Sequence, residues 1–311
     1  MKIVFLDEYS LGGADLSAIK AFGDYVGYHE TRPEEVVERC TDAEVVIVNK
    51  VVLGEKEMAA LPTLRLICVS ATGVNNIDLE AAKHHNIEVK NAVGYSTHTV
   101  AEATLGSILA LQRQVLYYDR YVKDGRYSAS GRFVNFDRPT HRLYGKKWGI
   151  IGLGNIGRKV AELATAFGCE VAYYSTSGVA RQENYECKEL NDLLAWADII
   201  SVHCPLNPTT NNLIDKEQVA LMKHNALIVN VARGGIVNEQ AIADALDQGL
   251  IAGAAFDVYP TEPMPLTSPL LKVKNADKLL LSPHTGWSAV ESIADLVECV
   301  ATNIKNYISK D

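Results

Sequence analysis

The sequence has no apolar run long enough to cross a membrane, and it has no clustered redox or metal-binding motif. No stretch reaches the ~18 consecutive apolar residues of a membrane span, and the opening MKIVFLDEYS is too short and too acidic for a signal peptide. The six cysteines include no CxxC pair, and the eight histidines include no HExxH spacing. We therefore expect a cytoplasmic chain with reduced thiols and no metal ion.

Positive charge is also scarce. The chain has 30 Lys and Arg residues against 38 Asp and Glu residues, which gives a net charge of −8 and a pI near 5.5. This balance argues against binding to nucleic acid or to an anionic membrane, because either partner selects for a basic surface. The remaining composition is typical of a globular protein, and 311 residues predict about two domains.

What the sequence does contain is a regular alternation of short apolar runs and helical segments. This alternation predicts an α/β protein with two doubly wound parallel-sheet, Rossmann-like domains and a cleft between them. The predicted strands are Ile3–Leu6, Val45–Val48, Leu66–Val69, Ile87–Lys90, Trp148–Ile151, Glu170–Tyr174, Ile199–His203, Leu227–Val231, Gly253–Asp257 and Lys278–Ser282.

One segment, residues 97–125, departs from the alternation. Its pattern predicts a single long helix that joins the two sets of strands, and a connection of weak periodicity follows over residues 125–145. We expect a discontinuous substrate domain formed by residues 1–98 and 287–311. A dinucleotide-binding domain over residues 99–286 is expected to be inserted into it.

The strongest local motif is GLGNIG, in which Gly152, Gly154 and Gly157 form GxGxxG between a predicted strand and a predicted helix. The first glycine allows a tight turn, the second lets the backbone approach a pyrophosphate, and the third permits close packing of helix and strand. Asn155 and Ile156 open the helix, whose free N–H groups attract an anion. The motif predicts dinucleotide binding, and a merely structural turn is the alternative.

The end of the second strand of this unit lacks the acidic residue typical of NAD sites. Ser175 and Thr176 stand there, so no carboxylate is available to hold the ribose 2′-hydroxyl or to repel a 2′-phosphate. Both hydroxyls can donate to a phosphate, and Arg181 can pair with one. We therefore favour NADP or dual use slightly over strict use of NAD. A polar turn indifferent to the cofactor is the other interpretation.

Three further segments place polar residues after apolar strands: NVARGG with Arg233, FDVYPTEP with Glu262, and SPHTGW with His284. Ligands bind at the carboxyl ends of strands in open α/β sheets. Taken singly, these residues are more typical of a surface ion pair, a solvated turn and a capped loop. Together with GLGNIG, in this order, they resemble the D-isomer-specific 2-hydroxyacid dehydrogenases, and the resemblance covers the whole chain.

The resemblance implies that Arg233, Glu262 and His284 are the catalytic residues of a hydride transfer between a nicotinamide cofactor and a 2-oxo acid. His284 would supply the proton to the developing alkoxide. Glu262 would fix the imidazole tautomer and keep a proton available. Arg233 would bind the substrate carboxylate and polarise the carbonyl group.

The resemblance also implies a backbone site for the substrate carboxylate after another strand. The segment VSATGVNNID would offer the N–H groups of Ala71, Thr72 and Gly73. An ordinary turn before a helix is the alternative, and the two are compatible. Residues 50–53, in KVVL, are a candidate wall of the substrate pocket.

Further cofactor contacts are implied by resemblance alone. Thr99 matches a hydroxyl on the pyrophosphate or nicotinamide side, and Asp257 matches a carboxylate that holds the nicotinamide carboxamide. His203 and Pro205 match the wall beside the adenosine, and Ala232 lies in the NVARGG contact segment. A helix-cap or ion-pair role is the alternative for Asp257.

The loops most resemble those of glycerate dehydrogenase and hydroxypyruvate reductase members. The expected reaction is therefore reduction of hydroxypyruvate or glyoxylate to the D-hydroxy acid, by a homodimer that uses residues 97–125 and the following connection as its interface. A D-lactate-type dehydrogenase is the alternative within the class. A nucleotide-sensing corepressor-like binding protein is the alternative outside it.

Overall fold

The structure is a computed structural model, and it describes residues 1–179 and 184–309. It divides into two compact units. Unit 1 comprises Met1–Ser96 with residues 288–309, and unit 2 comprises Thr97–Trp287. Within the described ranges, no helix has the length and apolar character needed to span a membrane.

Strands and helices alternate along most of the chain. The strands are β1 Lys2–Phe5, β2 Asp24–Gly27, β3 Val45–Val48, β4 Leu66–Val69, β5 Glu88–Asn91, β6 Lys147–Ile151, β7 Glu170–Tyr174, β8 Glu186–Cys187, β9 Ile199–Val202, β10 Leu227–Asn230, β11 Gly253–Phe256 and β12 Leu279–Leu281. The helices are α1 Ser17–Lys20, α2 Val36–Arg39, α3 Glu55–Ala59, α4 Leu79–His84, α5 Thr97–Gln112, α6 Val115–Lys123, α7 Arg126–Ala129, α8 Asn155–Ala166, α9 Leu190–Trp196, α10 Lys216–Leu221, α11 Glu239–Gln248 and α12 Val290–Ile308.

Unit 1 is built on a parallel sheet with the strand order β2-β1-β3-β4-β5. All residues of β3 and β4 are buried, as expected for parallel strands that are covered on both faces. The C-terminal helix α12 packs against β4 and α1, so the N-terminal and C-terminal segments belong to the same unit.

Unit 2 is built on a second parallel sheet with the order β12-β11-β10-β9-β6-β7-β8. From β6 the chain extends the sheet first through β7 and β8, and then on the other side through β9 to β12. The strand order therefore reverses between β6 and β9. In open α/β sheets, the carboxyl ends of strands at such a switch point form the ligand crevice.

The predicted fold class, two parallel α/β sheets, is confirmed, but two edge strands were missed. The prediction omitted β2, DYVG, whose residues are only partly buried or exposed, and β8, whose two residues are both exposed. Edge strands carry little of the apolar signal that marks buried ones. The other strand boundaries differ from the prediction by at most one residue at either end.

The single long helix predicted over residues 97–125 is wrong. The chain forms two helices there, α5 and α6, and the break between them falls at Gln114, whose φ of 53° is left-handed. The Gln114 side chain donates from Nε2 to the Leu111 carbonyl at 2.9 Å, and the same carbonyl accepts from the Gln114 N–H at 3.2 Å. A glutamine at this position does not predict a left-handed turn from sequence.

Candidate active site

Loops from four strands lie at the carboxyl edge of the unit 2 sheet. They follow β6, β10, β11 and β12, and they carry the glycine motif, Arg233, Glu262 and His284 respectively. The sheet therefore brings together residues that are more than 100 positions apart in the sequence.

The Arg233 loop is shaped by the last residue of β10. The side chain of Asn230, 1% exposed, accepts from the Ala232 N–H at 3.1 Å and donates to the Arg233 carbonyl at 2.9 Å. A side chain at Gly234 would place its Cβ 1.9 Å from the carbonyl carbon of Tyr259, so only glycine fits there. The half-buried Arg233 donates from Nη1 to the Ala232 carbonyl at 2.7 Å.

Glu262 and His284 form a direct pair. Oε2 of Glu262 lies 2.7 Å from Nδ1 of His284, and Oε1 accepts from the Tyr259 N–H at 3.1 Å. The carboxylate is thus oriented by the backbone and in turn orients the imidazole, so that Nδ1 carries a proton. Among the residues that the structure describes, Nε2 of His284 has no hydrogen-bond partner. That nitrogen is available to a reactant.

Asp257, directly after β11, organises the loop that carries His284. Its carboxylate, 5% exposed, accepts from the Ser282 hydroxyl at 2.5 Å, the Thr285 N–H at 2.9 Å and the Gly286 N–H at 2.8 Å. Three donors on both sides of His284 end on one buried carboxylate, which identifies Asp257 as a positioning residue. Its predicted contact with the nicotinamide stays a prediction.

Tyr259 is a second support that the sequence interpretation missed. Its hydroxyl donates to the Ser282 carbonyl at 2.9 Å, and its N–H holds Glu262. Burial, together with the neighbouring carboxylates, raises the pKa of Tyr259 to about 12, so the phenol stays protonated and remains a donor. The only sequence signal was the position of Tyr259 three residues before Glu262.

The glycine loop between β6 and α8 fits a dinucleotide. Gly152 has a φ of 92°, and a Cβ there would lie 2.8 Å from the backbone nitrogen of Cys204. A Cβ at Gly157 would lie 2.3 Å from the Gly152 carbonyl oxygen. A Cβ at Gly154 would meet nothing within 4 Å, so this face of the loop is open to a ligand. Asn155 and Ile156 lie in the first turn of α8, and the free N–H groups of a helix N-terminus can bind an anion.

His203 gives a second sign that the site accepts a ligand. Both ring nitrogens are buried without a hydrogen-bond partner among the described residues. Burial lowers the pKa of His203 to about 3, so the ring is neutral at physiological pH. An unpaired buried polar atom costs about 1–3 kcal/mol. The residue follows β9 at the switch point, where its N–H donates to the Ile151 carbonyl at 2.8 Å.

The turn after β7 has no carboxylate in its described part. The Ser175 hydroxyl donates to the Val179 carbonyl at 2.7 Å and lies 3.1 Å from the Ser177 hydroxyl. These contacts hold the two ends of the turn together. Thr176 is half-buried beside it. Arg181, the predicted partner of a phosphate, lies outside the described residues.

The other predicted cofactor residues occupy separate elements of unit 2. Thr99 is the third residue of α5 and is half-buried, and Ala232 lies in the Arg233 loop. Pro205 is exposed in the loop after β9, and its carbonyl accepts from the hydroxyl of buried Thr210 at 2.7 Å.

The predicted substrate loop lies in unit 1. Ala71, Thr72 and Gly73 follow β4, and the Thr72 carbonyl accepts from Asn91 at 2.6 Å. The neighbouring segment after β3 is held by buried Asp7, whose carboxylate accepts from the N–H groups of residues 49, 50 and 51 at 2.8, 2.6 and 3.2 Å. Burial raises the pKa of Asp7, and these three N–H groups oppose that rise. This segment begins the candidate pocket wall.

Known proteins resemble this chain in sequence over most of its length. Residues 105–286 match a family model described as D-isomer specific 2-hydroxyacid dehydrogenase, NAD binding domain. The chain is 35% identical to a hydroxypyruvate reductase of Blautia hydrogenotrophica over 99% of this chain and 97% of that protein. It is 36% identical to a glycerate dehydrogenase of Methylorubrum extorquens, over 99% and 96% respectively.

A solved structure is also similar to this chain in fold. An acyclic imino acid reductase in complex with NADPH and D-Arg matches with a TM-score of 0.88 and 25% identity, over 100% of this chain and 98% of that one. The chain belongs to the D-isomer-specific 2-hydroxyacid dehydrogenase family. It is an oxidoreductase that uses NAD or NADP.

Proposed function

We propose that this enzyme reduces a small 2-oxo acid, preferentially hydroxypyruvate or glyoxylate, to the D-2-hydroxy acid. The observation that carries the proposal is the Glu262–His284 pair, with Nδ1 bonded at 2.7 Å and Nε2 left available. It lies on the sheet edge that also carries Arg233 and the glycine loop. A 2-oxo acid needs such a proton donor for its carbonyl and a cation for its carboxylate.

His284 acts as the general acid. With Nδ1 held by Glu262, protonated His284 donates from Nε2 to the carbonyl oxygen of the substrate as that oxygen gains charge. In the oxidation direction the same nitrogen removes the proton from the hydroxyl group.

Arg233 binds and polarises the substrate. Its guanidinium has further N–H donors beyond the one that holds the Ala232 carbonyl, and a carboxylate accepts two of them side by side. The N–H groups of Ala71, Thr72 and Gly73 in unit 1 are the second expected contact of a substrate carboxylate, as an anion-binding turn. When bound, the nicotinamide cofactor supplies the hydride. The glycine loop and the first turn of α8 hold its pyrophosphate.

Support for the substrate comes from the relatives. Proteins similar over nearly the full chain are named hydroxypyruvate reductase and glycerate dehydrogenase. Initial rates with hydroxypyruvate, glyoxylate and pyruvate, each with NADH and NADPH, test the proposal. Fastest turnover of hydroxypyruvate or glyoxylate is expected. Fastest turnover of pyruvate would favour a D-lactate-type enzyme instead, and tight cofactor binding without any turnover would favour a corepressor-like sensor.

The cofactor preference is expected to change in Ser175→Asp. A carboxylate at this position would repel a ribose 2′-phosphate, and like charges in close contact cost several kcal/mol. The ratio of kcat/KM for NADPH to that for NADH should therefore fall at least ~10-fold. Ser17→Asp in unit 1 adds the same charge and should leave the ratio unchanged. An unaltered ratio in Ser175→Asp would show that residue 175 does not face the ribose.

The proposal extends to a homodimer that uses the segment after α5. Phe133 and Phe136 are 91% and 85% exposed, and Val122 on α6 is 54% exposed. Exposed apolar clusters of this kind mark protein interfaces. We also place the enzyme in the cytoplasm, which is supported by its free cysteines, because an oxidising compartment favours disulfides.

Phe133→Glu/Phe136→Glu is expected to convert the dimer to a 34.0 kDa monomer. Burial of two carboxylates in an apolar interface is unfavourable unless they find partners. Light scattering after size exclusion measures the mass. Leu266→Glu, at a position 90% exposed elsewhere in unit 2, is the control and should stay dimeric. A wild-type mass of a monomer, or a double variant that remains a dimer, would contradict the assignment.

A further inference from the structure

Three side chains of unit 1 bring together atoms of the kind that bind a metal ion. Glu55 is the first residue of α3, His84 is the last residue of α4, and His85 follows it directly. One carboxylate oxygen and one ring nitrogen from each histidine all lie within 4.8 Å of one another. Neither the proposed reaction nor the cofactor uses these residues.

The distances between these atoms suit a single divalent ion. Oε1 of Glu55 lies 2.9 Å from Nε2 of His85 and 3.9 Å from Nδ1 of His84. In a tetrahedral zinc site the ligand atoms are about 2.0–2.1 Å from the ion and therefore about 3.3 Å from one another. The observed distances lie on either side of this value, so small side-chain rotations would bring all three atoms to bonding distance of one ion.

The three side chains have room for such rotations. The side chain of His84 is 76% exposed, that of Glu55 is 56% exposed, and that of His85 is 25% exposed. Exposed side chains change rotamer rapidly and at little cost. An ion can therefore reach the three atoms from solvent, and water is available as a further ligand.

The donor set selects the class of metal. Two imidazoles and one carboxylate bind Zn²⁺ in known His₂Glu sites, whereas Mg²⁺ and Ca²⁺ prefer oxygen ligands alone. Within residues 1–179 and 184–309, no other three His, Cys, Asp or Glu side chains place their ligand atoms so close together.

The site joins two helices that follow candidate substrate segments of the same unit. The helix α3 begins shortly after Leu53, the end of the candidate pocket wall, and α4 follows the loop that contains residues 71–73. The two segments are already bonded to each other. The Leu53 N–H donates to the Asn76 carbonyl and the Asp78 N–H donates to the Leu53 carbonyl, both at 3.0 Å. A bound ion would add a second link between the same two segments.

We propose that Glu55, His84 and His85 form a binding site for Zn²⁺ or another divalent transition-metal ion. The ligands are Oε1 of Glu55, Nδ1 of His84 and Nε2 of His85, and water completes the coordination. The bound ion ties α3 to α4. The expectation of no metal ion rested on the spacing of histidines and cysteines in the sequence, and such spacing does not register a ligand as distant along the chain as Glu55.

Calorimetric titration of the Cys187→Ser protein with Zn²⁺ tests the proposal. The thiol of Cys187 is exposed and is itself a potential zinc ligand, so its removal eliminates a competing site. We expect one Zn²⁺ per chain at micromolar concentration and much weaker binding of Mg²⁺. Absence of Zn²⁺ binding at millimolar concentration, or equal affinity for Mg²⁺, would overturn the proposal.

Single variants in the same background assign the ion to the site. His84→Ala and Glu55→Gln each remove one of three ligands, and each should raise the dissociation constant of Zn²⁺ at least ~10-fold. His29→Ala and Glu30→Gln are the matched controls at exposed positions elsewhere in unit 1, with an expected change of less than about twofold. Equal losses in test and control variants would overturn the site, and so would binding that is lost only in His284→Ala.

Hydrogen exchange provides a second readout. Zn²⁺ should slow the exchange of the α3 amides, because the ion links the first residue of this five-residue helix to the end of α4. In His84→Ala the same Zn²⁺ concentration should leave the exchange of α3 unchanged. Slowing that persists in the variant, or no slowing in the parent protein at saturating Zn²⁺, would contradict the proposed link between the two helices.

Discussion

His284→Ala is expected to lower kcat by at least ~100-fold, because general acid catalysis contributes about 10²–10⁴-fold. The Nε2 atom is the proton donor in this account, and no other imidazole in the described part of the chain pairs with Glu262. Binding of NADP⁺ should be unchanged, because the glycine loop and α8 follow β6, whereas His284 follows β12. Stopped-flow hydride transfer, together with fluorescence titration of the cofactor, measures the two effects.

Two further variants separate this role from a structural one. His29→Ala, at an exposed side chain in unit 1, is the matched control and should retain wild-type kcat. Glu262→Gln keeps the shape but removes the charge opposite Nδ1, so its kcat should fall. Near-normal turnover in His284→Ala would contradict the proton-donor role.

Arg233→Ala should lower kcat/KM for hydroxypyruvate by about 10²–10³-fold, the effect of removing one preorganised charge stabiliser. Asn230 and the close contact of Gly234 with Tyr259 hold the backbone of this loop, and Nη1 bonds to the Ala232 carbonyl, so the guanidinium is oriented before substrate binds. Initial rates over a range of substrate concentrations measure the change. The loss should appear in both KM and kcat, because the group both binds the carboxylate and polarises the carbonyl.

Arg233→Lys and Arg113→Ala complete this experiment. Lysine keeps the charge but cannot bind a carboxylate with two parallel bonds, so only part of the activity should return. Arg113 is exposed after α5 and serves as the control, with an expected change of less than about twofold. A loss of less than about tenfold in Arg233→Ala would contradict the role proposed for this residue.

The buried strands were predictable because parallel strands covered on both faces read as continuous apolar runs. VVIV in β3 and LIVN in β10 are of this kind. The same reasoning fails for β2 and β8, whose exposed residues pair only at the edges of sheets. It fails again at Gln114, where a left-handed backbone breaks a helical pattern that has neither Gly nor Pro at the break.

The candidate site was predictable to the level of loops rather than contacts. Polar residues directly after apolar strands indicate the carboxyl edge of a sheet, and this places Arg233, Glu262 and His284 on one edge. Their supports depend on pairs far apart in sequence, such as Asp257 with Gly286 and Tyr259 with Ser282. A single sequence does not indicate which distant residues form hydrogen bonds with one another. The positioning roles of Asp257 and Tyr259 therefore follow only from the structure.

Product analysis with a deuterated cofactor tests the central claim most directly. Hydroxypyruvate is incubated with enzyme and with NADPH that carries deuterium at both C4 positions, and the glycerate formed is resolved on a chiral column with mass detection. The account predicts D-glycerate with one deuterium at C2, because the hydride moves directly to the carbonyl carbon. L-glycerate, or D-glycerate without deuterium, would contradict it.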